Sequence, residues 1–248
     1  MADPDASFDA RLEQAKLDAM KELAYGASHE INNPLANISA RAQSLLREER
    51  DPERRRTLEA IHLQALRAHE MISDLMLFAR PPQLQRQRLD LSEVIRQVAS
   101  SLTAECERRG IELNIVVDGQ PPPVDGDATQ LAVAINALIA NSINALGRGG
   151  RIRLAVSSSP DGGAQLQVED TGPGIPPEVR PHIFDPFYSG REAGRGLGFG
   201  LSKAWRIITL HGGGITADSP ATGGAIFTVN LPQSRGSTTR RSGYSEDE

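Results

Sequence analysis

From Leu58 to Ala79 the apolar residues fall at Leu58, Ile61, Ala65, Ala68, Ile72, Leu75 and Ala79, alternating steps of three and four without a break. Only an α-helix brings such positions to one side, and a seam this narrow suits packing against a few partner helices. Asp51-Pro52 supplies a cap and a proline at the first helical position. Arg80-Pro81-Pro82 stops the helix, because a residue before proline is pushed out of helical geometry. Upstream, Met20, Leu23, Ala27, Ile31, Ile38, Ala42 and Leu45 trace a second seam inside a helical pattern that runs from Asp9 to about Glu49. Pro34 interrupts its hydrogen bonding, at about 3 kcal/mol, but the apolar phase continues beyond it, so a kink is expected and not an end. The charged turn Arg47 to Asp51 joins the two helices. A hairpin of this kind has too little interior to stand alone. Two hairpins make a four-helix bundle in which each buried Leu or Ile contributes about 1.5 to 3 kcal/mol, and a homodimer through residues 9–80 is expected. His62 and His69, each one place after a seam position, read as flank residues of that bundle.

Within the first helix lies Ser28 to Leu35, S-H-E-I-N-N-P-L. At about 100° per residue His29 falls roughly opposite the centre of the apolar stripe, Asn33 shares its face and Glu30 flanks it. H-E-x-x-H on a helix would indicate zinc, but the second ligand position holds Asn33, which argues against a metal site. An imidazole on such an outward face is placed to meet a large donor molecule.

A chain of 248 residues with 39% hydrophobic side chains has material for two globular units, and the polar segment after Pro82 divides them. The expected organisation is a polar N-terminus (1–8), the hairpin (9–80), a linker (81–89), a second domain (90–232) and a Ser/Thr/Arg-rich tail (233–248). The net charge of −5 gives no footprint for nucleic acid, and Arg54 to Arg56 with Arg108 and Arg109 read as solvated helix faces. A single cysteine, Cys106, excludes an internal disulfide and reads as a packed helix residue. No run of about 20 apolar residues suggests a membrane span. The N-terminus M-A-D-P-D-A-S is acidic, unlike a signal sequence, and the chain reads as cytoplasmic.

Past the linker, strand and helix patterns alternate. Asp90 with Glu93 forms a capping box for a helix to about Arg109. Ile111 to Val117 reads as a strand and Gln120 to Pro123 as a loop. Asp127 to Leu146 is apolar on most sides and is expected to be a buried helix, which would bury Asn136, Asn141 and Asn144; unsatisfied, each would cost about 1 to 3 kcal/mol. Arg151 to Ser157 and Ala164 to Glu169 form a hairpin around Pro160-Asp161-Gly162-Gly163, and Ile215 to Ser219 and Ala225 to Leu231 give two final strands.

The second strand of that hairpin runs into Asp170-Thr171-Gly172-Pro173-Gly174, where glycines admit a ligand to the backbone and Asp170 can accept from an exocyclic amine. Ile183 to Tyr188 is the densest aromatic cluster of an aromatic-poor chain. Gly194 to Ser202 then leads into a helix reaching about His211. Glycines at a helix start expose N–H groups and the positive end of the dipole, which suits phosphate. The pattern is neither a P-loop nor a dinucleotide fingerprint.

Taken together, H-E-x-x-N-P, Asn141, D-T-G-P-G, F-D-P-F-Y and G-L-G-F-G-L resemble, in order and approximate spacing, the phospho-acceptor box and the N, G1, F and G2 boxes of two-component sensor histidine kinases. The resemblance covers about Asp9 to Pro232. It implies an α+β chain: an N-terminal helical hairpin forming a dimeric four-helix bundle, then an α/β sandwich ATP-binding domain with a mixed, largely antiparallel sheet. By position it makes Asn141 the Mg2+ ligand with Asn144 beside it, Asp170 the adenine reader, and Gly172 and Gly174 the adjoining wall. Phe184 and Phe187 would sit at the base of a lid, Arg191 would approach the phosphates from it, and Gly196, Leu197, Gly198 and Gly200 would line them. His29 would be the phosphorylated residue, with Glu30 orienting the ring or taking its proton. An ordinary imidazole, with a pKa of about 6.5, is largely neutral at pH 7 and needs no large shift. The phosphoryl group would pass to an aspartate of a response-regulator receiver, and Asn33 would position water to dephosphorylate that regulator.

Two departures bear on the chemistry. Ala137 stands where related ATPases of the gyrase and chaperone type carry a glutamate base, which favours transfer to a side chain over hydrolysis. Leu197 replaces a common threonine or serine, removing one phosphate contact. The remaining alternatives are a hydrolytic ATPase of that type and a noncatalytic dimeric nucleotide-binding scaffold.

Overall fold

The computed structural model describes residues 22, 30–186, 188 and 198–234. Helix α1 spans 30–48 and runs through Pro34 without interruption. Helix α2, Pro52–Ala79, starts as its sequence dictates: the Asp51 carboxylate accepts from Glu53 N at 2.8 Å and Arg54 N at 3.0 Å. The two helices lie antiparallel, joined by polar contacts at matching heights. His62 Nδ1 donates to Ser39 Oγ at 2.9 Å while its Nε2 accepts from Gln43 at 3.2 Å, and His69 Nδ1 donates to Asn32 Oδ1 at 3.0 Å. Both histidines are therefore flank residues, as expected.

The α1 seam differs from its expected role. The hairpin closes through Ala42 and Ala65, which are buried, whereas Ile31, Ile38 and Leu45, seven residues apart, are 40%, 46% and 60% exposed. Small side chains set the line of closest approach, and that turns the bulkier repeat to the flank. Ile61, Leu63 and Leu66 on α2 are also exposed.

The second unit contains β1 (Gln87–Leu89), α3 (Leu91–Arg109), β2 (Glu112–Val117), β3 (Val124–Gly126), α4 (Ala128–Leu146), β4 (Arg151–Ser158), β5 (Ala164–Asp170), a 3-10 turn (Arg180–His182), α5 (Gly200–Leu210), β6 (Gly214–Asp218) and β7 (Ala225–Leu231). The main sheet has the order β2-β4-β5-β7-β6, with β2 parallel to β4 and every other pair antiparallel. It is mixed and largely antiparallel, as expected. Alternation along β5 and β7 sends Leu166, Val168, Phe227 and Val229 to one face, where they meet Leu131, Leu138, Ile207 and Ile208 in a single core. Cys106 belongs to that core, and burial raises its thiol pKa.

The sequence pattern passes over one feature. Part of the segment read as linker, together with the residues after the Gln120 to Pro123 loop, forms the two-stranded ribbon β1–β3, in which Gln87 pairs with Gly126 and Leu89 with Val124. Three residues are too few to show a strand period. The backbone of Gln85 also donates to Asp127 at 3.0 Å, and Gln130 Nε2 donates to Pro82 O at 3.1 Å, so the chain after α2 is tied to the start of α4. Helix α4 is long and apolar enough to cross a membrane, contrary to the expected absence of such a run, but its Leu131, Ile135, Leu138 and Ile139 are core residues of the sandwich.

Candidate functional site

Asp170 ends β5 in the phase that puts Ala164, Leu166 and Val168 on the buried face, so a carboxylate enters the layer between sheet and helices. It is 3% exposed. Burying a charge demands partners, and Asp170 has them. Ser142 Oγ donates to its Oδ2 at 2.8 Å and Gly172 N donates to its Oδ1 at 2.9 Å. These contacts fix the carboxylate against α4 at the mouth of the D-T-G-P-G loop.

That loop cannot carry side chains where it has glycine. Gly174 has φ +81°, and a Cβ there would stand 2.3 Å from Ser219 Oγ. Gly172 has ordinary backbone geometry, but a Cβ would lie 2.8 Å from Asp170 Oδ1 and displace the carboxylate.

A cleft of about 1740 Å3 opens beside α4. Asn136, Ala137, Asn141 and Asn144 line it from α4, Gly198, Gly200 and Lys203 from the start of α5, Ile183 and Tyr188 from the segment between, and Gln64 to Asp74 from α2. The expectation that the three asparagines are buried is corrected: Asn136 and Asn144 are exposed and Asn141 half-buried. A rotation of about 100° per residue separates the two sides of α4, so Ser142 faces the sheet while its neighbour Asn141 faces the cleft. Amide oxygens on that wall suit a hard cation such as Mg2+.

Phe184 is half-buried against the main core, and His182 Nδ1 donates to Asp185 at 2.9 Å beside Tyr188. Glu30 and Asn33 are both exposed on α1. His29, Phe187, Arg191, Gly196 and Leu197 lie outside the described residues, as do the segment before the hairpin and the tail after 234.

Three participants escaped the sequence reading. Ser142 follows Asn141 directly, and its signal is a hydroxyl at a core-facing phase of an apolar helix. Lys203 and Asp74 meet across the cleft wall as an ion pair between α5 and α2. The signal for Lys203 is composition: it is the only lysine after Lys21. Above the pair, the rings of Phe78 and Phe199 are 6.3 Å apart and tilted by 53°.

Comparison with known proteins agrees with this arrangement. Residues 19–84 match the family described as His Kinase A (phospho-acceptor) domain, and residues 126–235 match Histidine kinase-, DNA gyrase B-, and HSP90-like ATPase. Sensor histidine kinase ZraS of Klebsiella oxytoca is 33% identical over 225 residues, which is 90% of this chain and 48% of that protein. Sporulation kinase C of Bacillus subtilis is 32% identical over 89% of this chain and 50% of its own length. The chain spans about half the length of the curated relatives it matches. Among solved structures, full-length ShkA in complex with AMPPNP superposes with a TM-score of 0.74 at 26% identity, over 85% of this chain and 45% of that one.

Proposed function

Because this chain belongs to the sensor histidine kinases, with a phospho-acceptor domain ahead of an ATPase domain, we propose that it moves the γ-phosphoryl group of ATP onto His29 and then onto an aspartate of a response-regulator receiver. The observation that carries this reading is Asp170: a buried carboxylate held by Gly172 and by Ser142 of α4, the helix whose adjacent residue, Asn141, lines the cleft together with the glycine-rich start of α5. Such a carboxylate accepts from the amino group of adenine, and N–H groups at a helix start favour the phosphates. That full-length ShkA was solved in complex with AMPPNP supports an adenine nucleotide as the ligand.

In the transfer step a neutral nitrogen of His29 forms a bond to the γ-phosphorus as the bond to the bridging oxygen of ADP breaks. Glu30 accepts the proton that leaves the ring. Phosphoryl transfer needs mainly positioning and charge neutralisation. Asn141, assisted by Asn144, would hold Mg2+, which neutralises the triphosphate when bound. On α4 the described residues lining the cleft include no carboxylate, and Ala137 occupies the level where a hydrolytic base would stand. That favours transfer to a side chain over release to water. Exposed Glu30 and Asn33 share the accessible surface of α1, consistent with a receiver docking there and with Asn33 orienting water for dephosphorylation of the regulator.

The reading includes a homodimer through the hairpin (9–80), in which a second copy covers Ile31, Ile38 and Leu45, and an ATP-binding domain over 90–232. The test is a chase. The chain labelled from γ-labelled Mg-ATP is mixed with a panel of receivers, and the label should move to one of them within seconds. Retention of label against every receiver would reject the second step, and steady phosphate release without any phosphoprotein would favour the hydrolytic reading.

A further inference from the structure

Helix α2 and helix α5 meet through two pairs, each four residues apart on its own helix: Asp74 with Lys203, and Phe78 with Phe199. Leu75 and Ala79 complete a small apolar cluster around Phe199, separate from the main core. The result is a two-point clasp between the hairpin and the first turns of α5. Its polar half stands in the wall of the cleft beside Gly198 and Gly200, with the Lys203 side chain 14% and the Asp74 side chain 34% exposed.

We propose that Lys203 is a phosphate-contacting residue of the nucleotide site and that Asp74 is its resting partner, so that arrival of a triphosphate opens the clasp. The proposal rests on ATP occupying the cleft as described above. Lysine suits the task because its ammonium is a point charge with three rotatable donors on a flexible stem, able to exchange one anion for another. A triphosphate carries several negative charges against the single charge of Asp74. Among the described residues, the other charged side chains at the cleft are Arg67 and Glu70 on α2, both exposed, and Arg109, which is paired with Glu105.

Opening has a purpose in the geometry. Among the described residues that line the cleft, α2 contributes several and α1 none. The shut clasp thus keeps the pocket facing α2, whereas the acceptor belongs to the segment leading into α1. Drawing Lys203 to the phosphates removes the polar half of the clasp and leaves its apolar half, Phe199 against Leu75, Phe78 and Ala79, to hold the domain there.

The signature is a pair of opposite effects on the intact chain, read by calorimetric titration with AMPPNP and with AMP. Asp74→Asn removes the competitor and should bind AMPPNP roughly threefold tighter, the size of an exposed to half-buried ion pair. Lys203→Met removes the contact and should bind it about tenfold more weakly, as for a hydrogen bond to a charged group. AMP, which lacks the outer phosphates, should bind all three proteins alike. The exchange D74K with K203D should recover the thermal stability of the clasp but not AMPPNP affinity, which separates contact from fold. Shifts in the same direction for both single variants, or none in either, would overturn the proposal while leaving the nucleotide site intact. A wild-type chain that binds neither nucleotide would overturn both.

Discussion

The hydroxyl of Ser142 donates to Oδ2 of Asp170 at 2.8 Å, linking the C-terminal turns of the apolar helix α4 to the last residue of β5. The bond leaves Asp170 with one oxygen turned to Gly172 N and fixes the direction in which the carboxylate can accept from a ligand. Asp170→Asn puts an N–H2 where two donors already point. We expect it to weaken ATP binding at least tenfold, and Ser142→Ala to weaken it by about tenfold, from the worth of hydrogen bonds to a charged group. Calorimetric titration with a nonhydrolysable analogue measures both.

Two glycines separate stability from binding. A Cβ on Gly200 meets nothing within 4 Å, and the residue lies in the first turn of α5. Gly200→Ala should therefore raise stability by up to about 1 kcal/mol while its methyl group obstructs the phosphates. Gly224 has φ +84°, and a Cβ there would lie 2.1 Å from Asp170 O. Gly224→Ala should destabilise by about 1 to 3 kcal/mol or more. Thermal melts with and without nucleotide distinguish the two: a higher melting temperature with lost ligand stabilisation for the first, a lower one for the second.

Acid should weaken the junction between the linker and the ATPase domain. His211 is 1% exposed, its Nδ1–H donates to Ile207 O at 2.8 Å and its Nε2 accepts from Asp127 N at 3.0 Å, so it is neutral in the fold. Burial holds its pKa below the ordinary imidazole value, with the Arg86 guanidinium acting in the same direction. The Ile207 carbonyl and the carboxylates of Asp127 and Asp125 oppose it. The unfolded chain therefore takes up a proton first. Stability is full above about pH 6.5 and falls as the pH drops below it. Asp127 titrates in a lower window. Burial opposes its charge, but the N–H groups of Gln85, Gln130 and Thr129 outweigh that and keep its pKa below the ordinary value, so its contribution is lost only below about pH 4. Denaturant melts between pH 7.5 and 5 should show the decline in the wild type and a flatter profile in His211→Gln.

The exposed repeat on α1 gives a test of assembly. If a second copy covers Ile38 and Leu45, the double change Ile38→Glu with Leu45→Glu removes burial of about 1.5 to 3 kcal/mol per side chain and adds like charges. Sedimentation should show a dimer for the wild type and a monomer for the variant. A dimer that survives the change would place the interface elsewhere.

The helical hairpin and the sandwich strands were legible because their signals are local: a cap at Asp51, a seam of threes and fours, a two-residue period through Leu166 and Val168. Asp170 and its glycines were legible because a carboxylate, a close-approach glycine and one φ > 0 glycine, Gly174, sit together in five residues. What remained hidden is long-range. No local pattern tells that Lys203 finds Asp74, or that Ile31, Ile38 and Leu45 turn outward when Ala42 and Ala65 draw the helices together. The asparagines of α4 were misjudged because composition makes that helix look buried all round, whereas its cleft side is open.

Labelling of the intact chain with γ-labelled Mg-ATP, compared between the wild type and His29→Gln, bears most directly on the assignment of the acceptor. The wild type should acquire label that acid removes and base does not, as a phosphorylated imidazole does, and the variant should acquire none. Label of unchanged amount in His29→Gln would contradict it.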